Sequence, residues 1–260
     1  MPLHHAILLF FAAMVGGLLN SVAGGGGFIA FPALLFTGVN PIQANATNTV
    51  ALWPGTLASV GAYWREFQDR SNWTLLRPLF IVTFFGSIVG ALLLLNTPER
   101  TFVQLIPWLL GGATLLFIFG ARITAFVRGR ISQHADQHAS KLTVIGGTLI
   151  QLAVAIYIGY FGAGAGMLML ALFAVMGMEN IHTMNAFKSL LAICANGVAV
   201  ITFIIFGKVL WMQAGIMIVG AMIGGYFGAW YALKMDPKVV RYVVIAIGCT
   251  MTAYFTWKLL

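Results

Sequence analysis

Charge is what this sequence has least of. Of its 260 residues only 8% are Asp, Glu, Lys or Arg, and the first 64 contain none of the four. Soluble domains carry about 25% charged residues, so a chain that is 60% hydrophobic, with a mean hydropathy of +0.95, lacks the polar surface to dissolve. Linker-like stretches and low-complexity tails are missing too. These absences exclude a water-soluble enzyme, a nucleic-acid binder and a disordered scaffold, and leave an all-α polytopic membrane protein. No Asp or Glu lies deep in an apolar run, so the carboxylate relays common in pumps have no candidate. The two cysteines, Cys194 and Cys249, have no partners at zinc-ligand or disulfide spacing and read as ordinary core residues. No cofactor is implied.

The charge that is present sums to +8. It reports topology rather than nucleic acid, because the basic residues sit in short connectors, as the positive-inside bias produces. The start, Met1-Pro2-Leu3-His4-His5, lacks the basic leader of a signal peptide, and apolar character resumes after Gly27, so it reads as a retained first span.

A bilayer core about 30 Å thick takes about 20 helical residues to cross. Apolar runs fall at 3–20, 27–39, 46–64, 74–95 and 102–121, then at 142–159, 166–178, 183–206, 209–232 and 239–258. Each half, 1–121 and 142–260, thus has five segments, the second of them short, joined by a basic cytoplasmic connector at 122–141. The halves also match locally. Gly27 to Gly38 has the spacing of Gly166 to Gly177, and the tetrad Asn45-Ala-Thr-Asn48 corresponds to Asn185-Ala-Phe-Lys188. Two matches in register point to an internal duplication.

The basic residues separate crossing from re-entrant layouts. Arg65, Arg70 and Arg77, then Arg122, Arg128, Arg130 and Lys141, then Lys234, Lys238 and Arg241 fall on one side only if the short segments cross. Ten crossings put both termini outside, and an odd number per half makes the repeats inverted.

Inverted repeats with interrupted helices in matching positions point to a transporter site near the midplane. Gly24, Gly25, Gly26 and Gly27, and Gly162, Gly164 and Gly166, are too glycine-rich to hold a helix. The short helices that follow would aim N–H groups and positive dipole ends into a cavity, which suits an anion. Gly86-x-x-x-Gly90 and Gly220-x-x-x-Gly224 are instead assigned to helix packing, and such segments permit a homodimer. Lys188 is a lone cation inside an apolar helix and, against snorkelling to the interface, is read as facing a cavity. Asn20, Asn45, Thr47, Asn48, Asn185 and Ser189 complete the expected lining, with Thr49 and Asn196 at plausible depth. Glu179 and His182 mark the boundary before the eighth segment, and His134 and His138 read as solvated connector residues.

The run from Gly16 through Asn20, Gly24–Gly27, Pro32 and Gly38 to Pro41, followed by Asn45-Ala-Thr-Asn48, resembles the sulfite exporter TauE/SafE family, with Gly159 to Asn185 resembling its second half. The resemblance covers nearly the whole chain. It implies a multi-pass bacterial inner-membrane permease for small sulfur-containing anions, sulfite or organosulfonates, usually moved outward. A small oxyanion needs several N–H donors and at most one cation, because transport demands release as well as binding. Alternating access would follow from one repeat bundle moving against the rest. A carrier of another small anion or metabolite, or a passive anion channel, are the rival readings. An intramembrane enzyme ranks last, since Ser189 and Lys188 are adjacent and point about 100° apart on a helix.

Overall fold

The computed structural model describes residues 1–23, 25–62, 73–131, 141–178, 180–232 and 237–259. Gly24, Arg65, Arg70, His134, His138, Glu179 and Lys234 lie outside them. The described residues form ten helices and no strand: α1 Leu3–Ala23, α2 Gly27–Phe36, α3 Pro41–Ala62, α4 Trp73–Asn96, α5 Glu99–Ile131, α6 Lys141–Tyr160, α7 Ala165–Val175, α8 Ile181–Ile205, α9 Trp211–Ala232 and α10 Pro237–Leu259. Only helices or closed barrels satisfy every backbone group within lipid. By length and composition Leu3–Asn20, Leu76–Asn96, Glu99–Gly120 and Thr183–Ile205 each suffice to cross a membrane, and Gly27–Phe36, Val144–Tyr160, Ala165–Val175 and Trp211–Phe227 are shorter apolar helices. Ile81, Phe85, Leu149 and Ile205 point outward, as lipid-facing side chains do, while Phe28, Phe31, Phe102, Phe117 and Phe203 fill the interior.

Several boundaries move from their expected places. Helix α3 starts at Pro41 instead of 46, which takes Asn45 inside it, and α8 at Ile181 instead of 183, because nothing at Asn45 or Asn185 breaks a helix once Pro41 or Ile181 has started it. Helix α5 continues to Ile131, so Arg122, Arg128 and Arg130 ride on it. Arginine is a good helix former and does not end a helix by itself. Cys194 is half-buried, but Cys249 is exposed on α10 and is not a core residue.

The packing pairs up across the halves. Helix α1 lies on α9 and α4 on α6; α3 meets α9 as α8 meets α4; α3 also meets α8, and α5 meets α10. Exchanging the halves, α1 for α6 and so on, turns each pairing into another of the set. Two seams are made of glycine. A β-carbon on Gly224 would overlap the Met14 carbonyl, one on Gly220 the Phe10 carbonyl, one on Gly90 the Ile156 carbonyl and one on Gly159 the Ser87 carbonyl. Both GxxxG segments therefore serve contacts within the chain, α1 on α9 and α4 on α6, which brings the backbones together as small residues do in membranes.

Helix directions follow from the same contacts. Phe10 and Met14 step along α1 as Gly220 and Gly224 step along α9, so those helices run the same way. Gly111 meets Thr252 while Thr114 meets Gly248, so α5 and α10 run in opposite directions. Thr47 meets Leu210 while Trp53 meets Ile193, so α3 opposes the course of α8 in the same manner.

Candidate functional site

The two glycine runs interrupt the chain differently. At the first, Gly26 lies against α1, where a β-carbon would overlap the Gly16 carbonyl, and Gly25 lies against Val244 of α10 at 2.8 Å from where a β-carbon would be. Close approach, not backbone conformation, requires these glycines. At the second, Gly162 (φ 80°) and Gly164 (φ 76°) are left-handed, a region that L side chains rarely adopt. The Tyr157 hydroxyl donates to the Ala163 carbonyl across this turn. Asn45 of α3 donates its Nδ2 to the Tyr160 carbonyl at the end of α6, 3.1 Å away, which ties the second interruption to the first half.

Between the interruptions lies a cavity of about 60 Å³. A water needs on the order of 10–15 Å³ of such space, so the cavity has room for a small polyatomic ion. Its polar wall is Asn20 of α1, Gly27 at the start of α2, Asn48, Thr49 and Thr56 of α3, Gly162 and Ala163, and Asn196 of α8. Its apolar wall is Leu52, Trp53 and Phe161. Among the described residues no charged side chain lines it.

The donors and acceptors of the wall are partly committed. The Thr49 hydroxyl donates to the Asn45 carbonyl (2.8 Å) and the Thr56 hydroxyl to the Trp53 carbonyl (2.6 Å), which leaves lone pairs free. Asn196 donates one N–H to the Ala192 carbonyl at 2.8 Å and keeps its second N–H and its oxygen. Asn48 Oδ1 is buried without a hydrogen-bond partner, and its Nδ2 lies over the start of α2, 3.5 Å from where a Gly27 β-carbon would be. Phe28 and Ile29 donate to the carbonyls of Gly25 and Gly26, so the first turn of α2 is tight against the interruption. Those N–H groups are taken, and what the start of α2 offers the cavity is Gly27 and the positive end of the helix dipole.

Of the residues expected from sequence, Asn20, Gly27, Asn48 and Gly162 come together around this cavity, with Thr49 and Asn196. Gly25, Gly26 and Gly164 shape the interruptions without lining it. Thr47 is buried, and its hydroxyl oxygen accepts the Leu210 N–H at 3.1 Å. Asn185, Lys188 and Ser189 form a separate group on α8. There the Lys188 Nζ donates to Asn185 Oδ1 at 2.9 Å, and its stem lies on Gly166, 3.3 Å from where a β-carbon would sit. The Lys188–Gly166 contact repeats in the second half the Asn48–Gly27 contact of the first.

The reading from sequence missed Leu52, Trp53, Thr56, Phe161 and Ala163. A signal for the α3 residues was present, since positions 48, 49, 52, 53 and 56 form one helical stripe. It went unread because Leu and Trp are unremarked in an apolar helix.

The sequence matches the profile of the family described as sulfite exporter TauE/SafE over residues 9–255. It is similar to the probable membrane transporter protein YfcA of Escherichia coli strain K12, 29% identical over 247 residues that cover 95% of this chain and 87% of that protein. A probable membrane transporter protein of Haemophilus influenzae is 29% identical over 250 residues, covering 95% and 92%. The probable membrane transporter protein YunE of Bacillus subtilis is 26% identical over 267 residues, covering 94% and 96%. No solved structure matches.

Proposed function

Because this chain belongs to the sulfite exporter TauE/SafE family and is a membrane transporter, we propose that it carries small sulfur-containing anions, sulfite or organosulfonates, through the bacterial inner membrane by alternating access. The observation that carries the reading is the cavity where both interrupted segments meet, walled by Asn20, Asn48 and Asn196 and by the start of α2. Interrupted helices whose ends face a shared cavity are how secondary transporters hold ions at the midplane. The chemistry is that of an oxyanion site with neutral donors, strong enough to replace water and weak enough to release.

The two halves act as inverted repeats in this proposal. The opposed directions of α3 and α8, and of α5 and α10, support it, because counterpart helices related by an axis in the membrane plane must run antiparallel. Lys188 attracts the anion to the start of α7 without entering the cavity, so its removal weakens capture more than translocation.

The test is exchange of labelled sulfite into proteoliposomes preloaded with unlabelled sulfite, sulfate, taurine or sulfoacetate. Saturable exchange accelerated by one of these is expected, about 10-fold slower in Asn48→Ala, the loss of one hydrogen bond to a charged group. Absence of exchange with all of them, in vesicles shown to be intact, removes sulfur oxyanions. Flux that never saturates would make the protein a channel instead.

A further inference from the structure

The apolar wall of the cavity has a fixed member. Trp53 donates its indole N–H to the Ile193 carbonyl of α8 at 3.1 Å. Its ring packs on Gly197, where an added β-carbon would be 3.1 Å from Cζ2, 3.3 Å from Cε2 and 3.4 Å from Nε1. The hydrogen bond holds the Nε1 edge of the ring, and the bare backbone of Gly197, one turn further along α8, packs against that same part of the indole. A side chain held by a hydrogen bond and by close backbone contact does not readily change rotamer to admit a larger guest. Because the bond uses the sole donor of the indole, the ring offers the cavity only carbon. Leu52 and Phe161 continue the same surface, and Phe161 is itself braced edge-to-face by Phe31 at 5.5 Å. The amides of Asn20 and Asn48 and the start of α2 stand on the polar wall.

We propose that Trp53 is the specificity-determining residue of this transporter. An organosulfonate binds with its three oxygens towards the amides and its carbon group against the Trp53 ring, and the ring sets how long that group can be. The inference rests on the anion reading above and deepens it. In about 60 Å³ a sulfonate head leaves room for little carbon, and a rigid apolar wall discriminates single methylenes by about 10-fold or more.

The test is competition. Labelled sulfite exchange by the full-length protein in proteoliposomes is inhibited with unlabelled methane-, ethane-, propane- and butanesulfonate. Inhibition by the wild type is expected to weaken by about 10-fold or more at the first methylene that meets the ring, and further for each longer chain. Trp53→Phe, which removes one ring, and Trp53→Leu move the cut-off to longer chains, and Gly197→Ala, which pushes the indole into the cavity, moves it to shorter ones. An unchanged chain-length profile in variants that still exchange sulfite would overturn the role of Trp53 and leave the anion reading intact. Should Trp53 variants fail to fold, the opposite shift in Gly197→Ala decides. No exchange by the wild type with any sulfur anion would overturn both readings at once.

Discussion

At the scale of the residue, Asn45 and Asn48 sit one turn apart on α3 and do different work. Asn45 holds the end of α6 through its Nδ2 and Asn48 lines the cavity, while both bury an Oδ1 that has no hydrogen-bond partner. An unsatisfied buried oxygen destabilises, so replacing Asn48 by Leu should leave the unfolding temperature unchanged or raise it while cutting exchange about 10-fold. Asn45→Leu should instead lower stability by about 1 kcal/mol, since it strips the Tyr160 carbonyl of its partner. Thermal unfolding in detergent, read beside exchange rate, separates the two. For Lys188→Ala, which lies off the cavity wall, the half-saturating concentration should rise about 10-fold with maximal rate nearly kept. A maximal rate that falls while half-saturation stays put would place Lys188 in the translocation step. The neutral wall also bears on ion charge. Desolvating an ion costs more steeply as its charge grows, so methanesulfonate should compete better than sulfate at equal concentration. Which amides share the cavity was only partly legible in the sequence. Asn20 and Asn48 announce themselves by being polar in apolar runs, whereas Trp53 looks like any aromatic in a membrane helix.

At the scale of the element, interruptions are legible because glycine runs act locally, and both short helices start within a residue of where the sequence puts them. The lengths of α3, α5 and α8 are less legible, because polar and basic residues that mark the edge of the bilayer do not mark the end of a helix. Partner choice is hidden for a further reason. Within lipid no hydrophobic gain tells one helix face from another, so shape decides. Glycine positions carry that shape unevenly. Gly90→Ala would drive a β-carbon into the Ile156 carbonyl, whereas one at Gly112 meets nothing within 4 Å. Gly90→Ala should therefore split α4 from α6 and lower the unfolding temperature by several degrees, and Gly112→Ala should be neutral. Equal behaviour of the two in a thermal stability assay would discount the glycine seams as determinants of the fold.

At the scale of the whole molecule, the ten crossings expected from the basic connectors predict sidedness. With Cys194 and Cys249 replaced by serine, a single cysteine at Thr97, after α4, and one at Gly207, after α8, should react with an impermeant thiol reagent from the same face. Labelling from opposite faces would mean that a short helix turns back instead of crossing. The matching spacing of glycines and tetrads in the two halves was legible in the sequence, but the pairing of helices across the halves was not. The glycine seams join α1 to α9 and α4 to α6, so each tightly apposed couple takes one helix from either half. Contacts of backbone on backbone have no rotamers to exchange, and they resist sliding more than side-chain interfaces do. The unit of sequence and the unit of packing then differ: the alternating-access proposal requires the rocking bodies to be couples drawn from both halves, hinged where α3 faces α8 and α5 faces α10, rather than either run of five helices moving by itself.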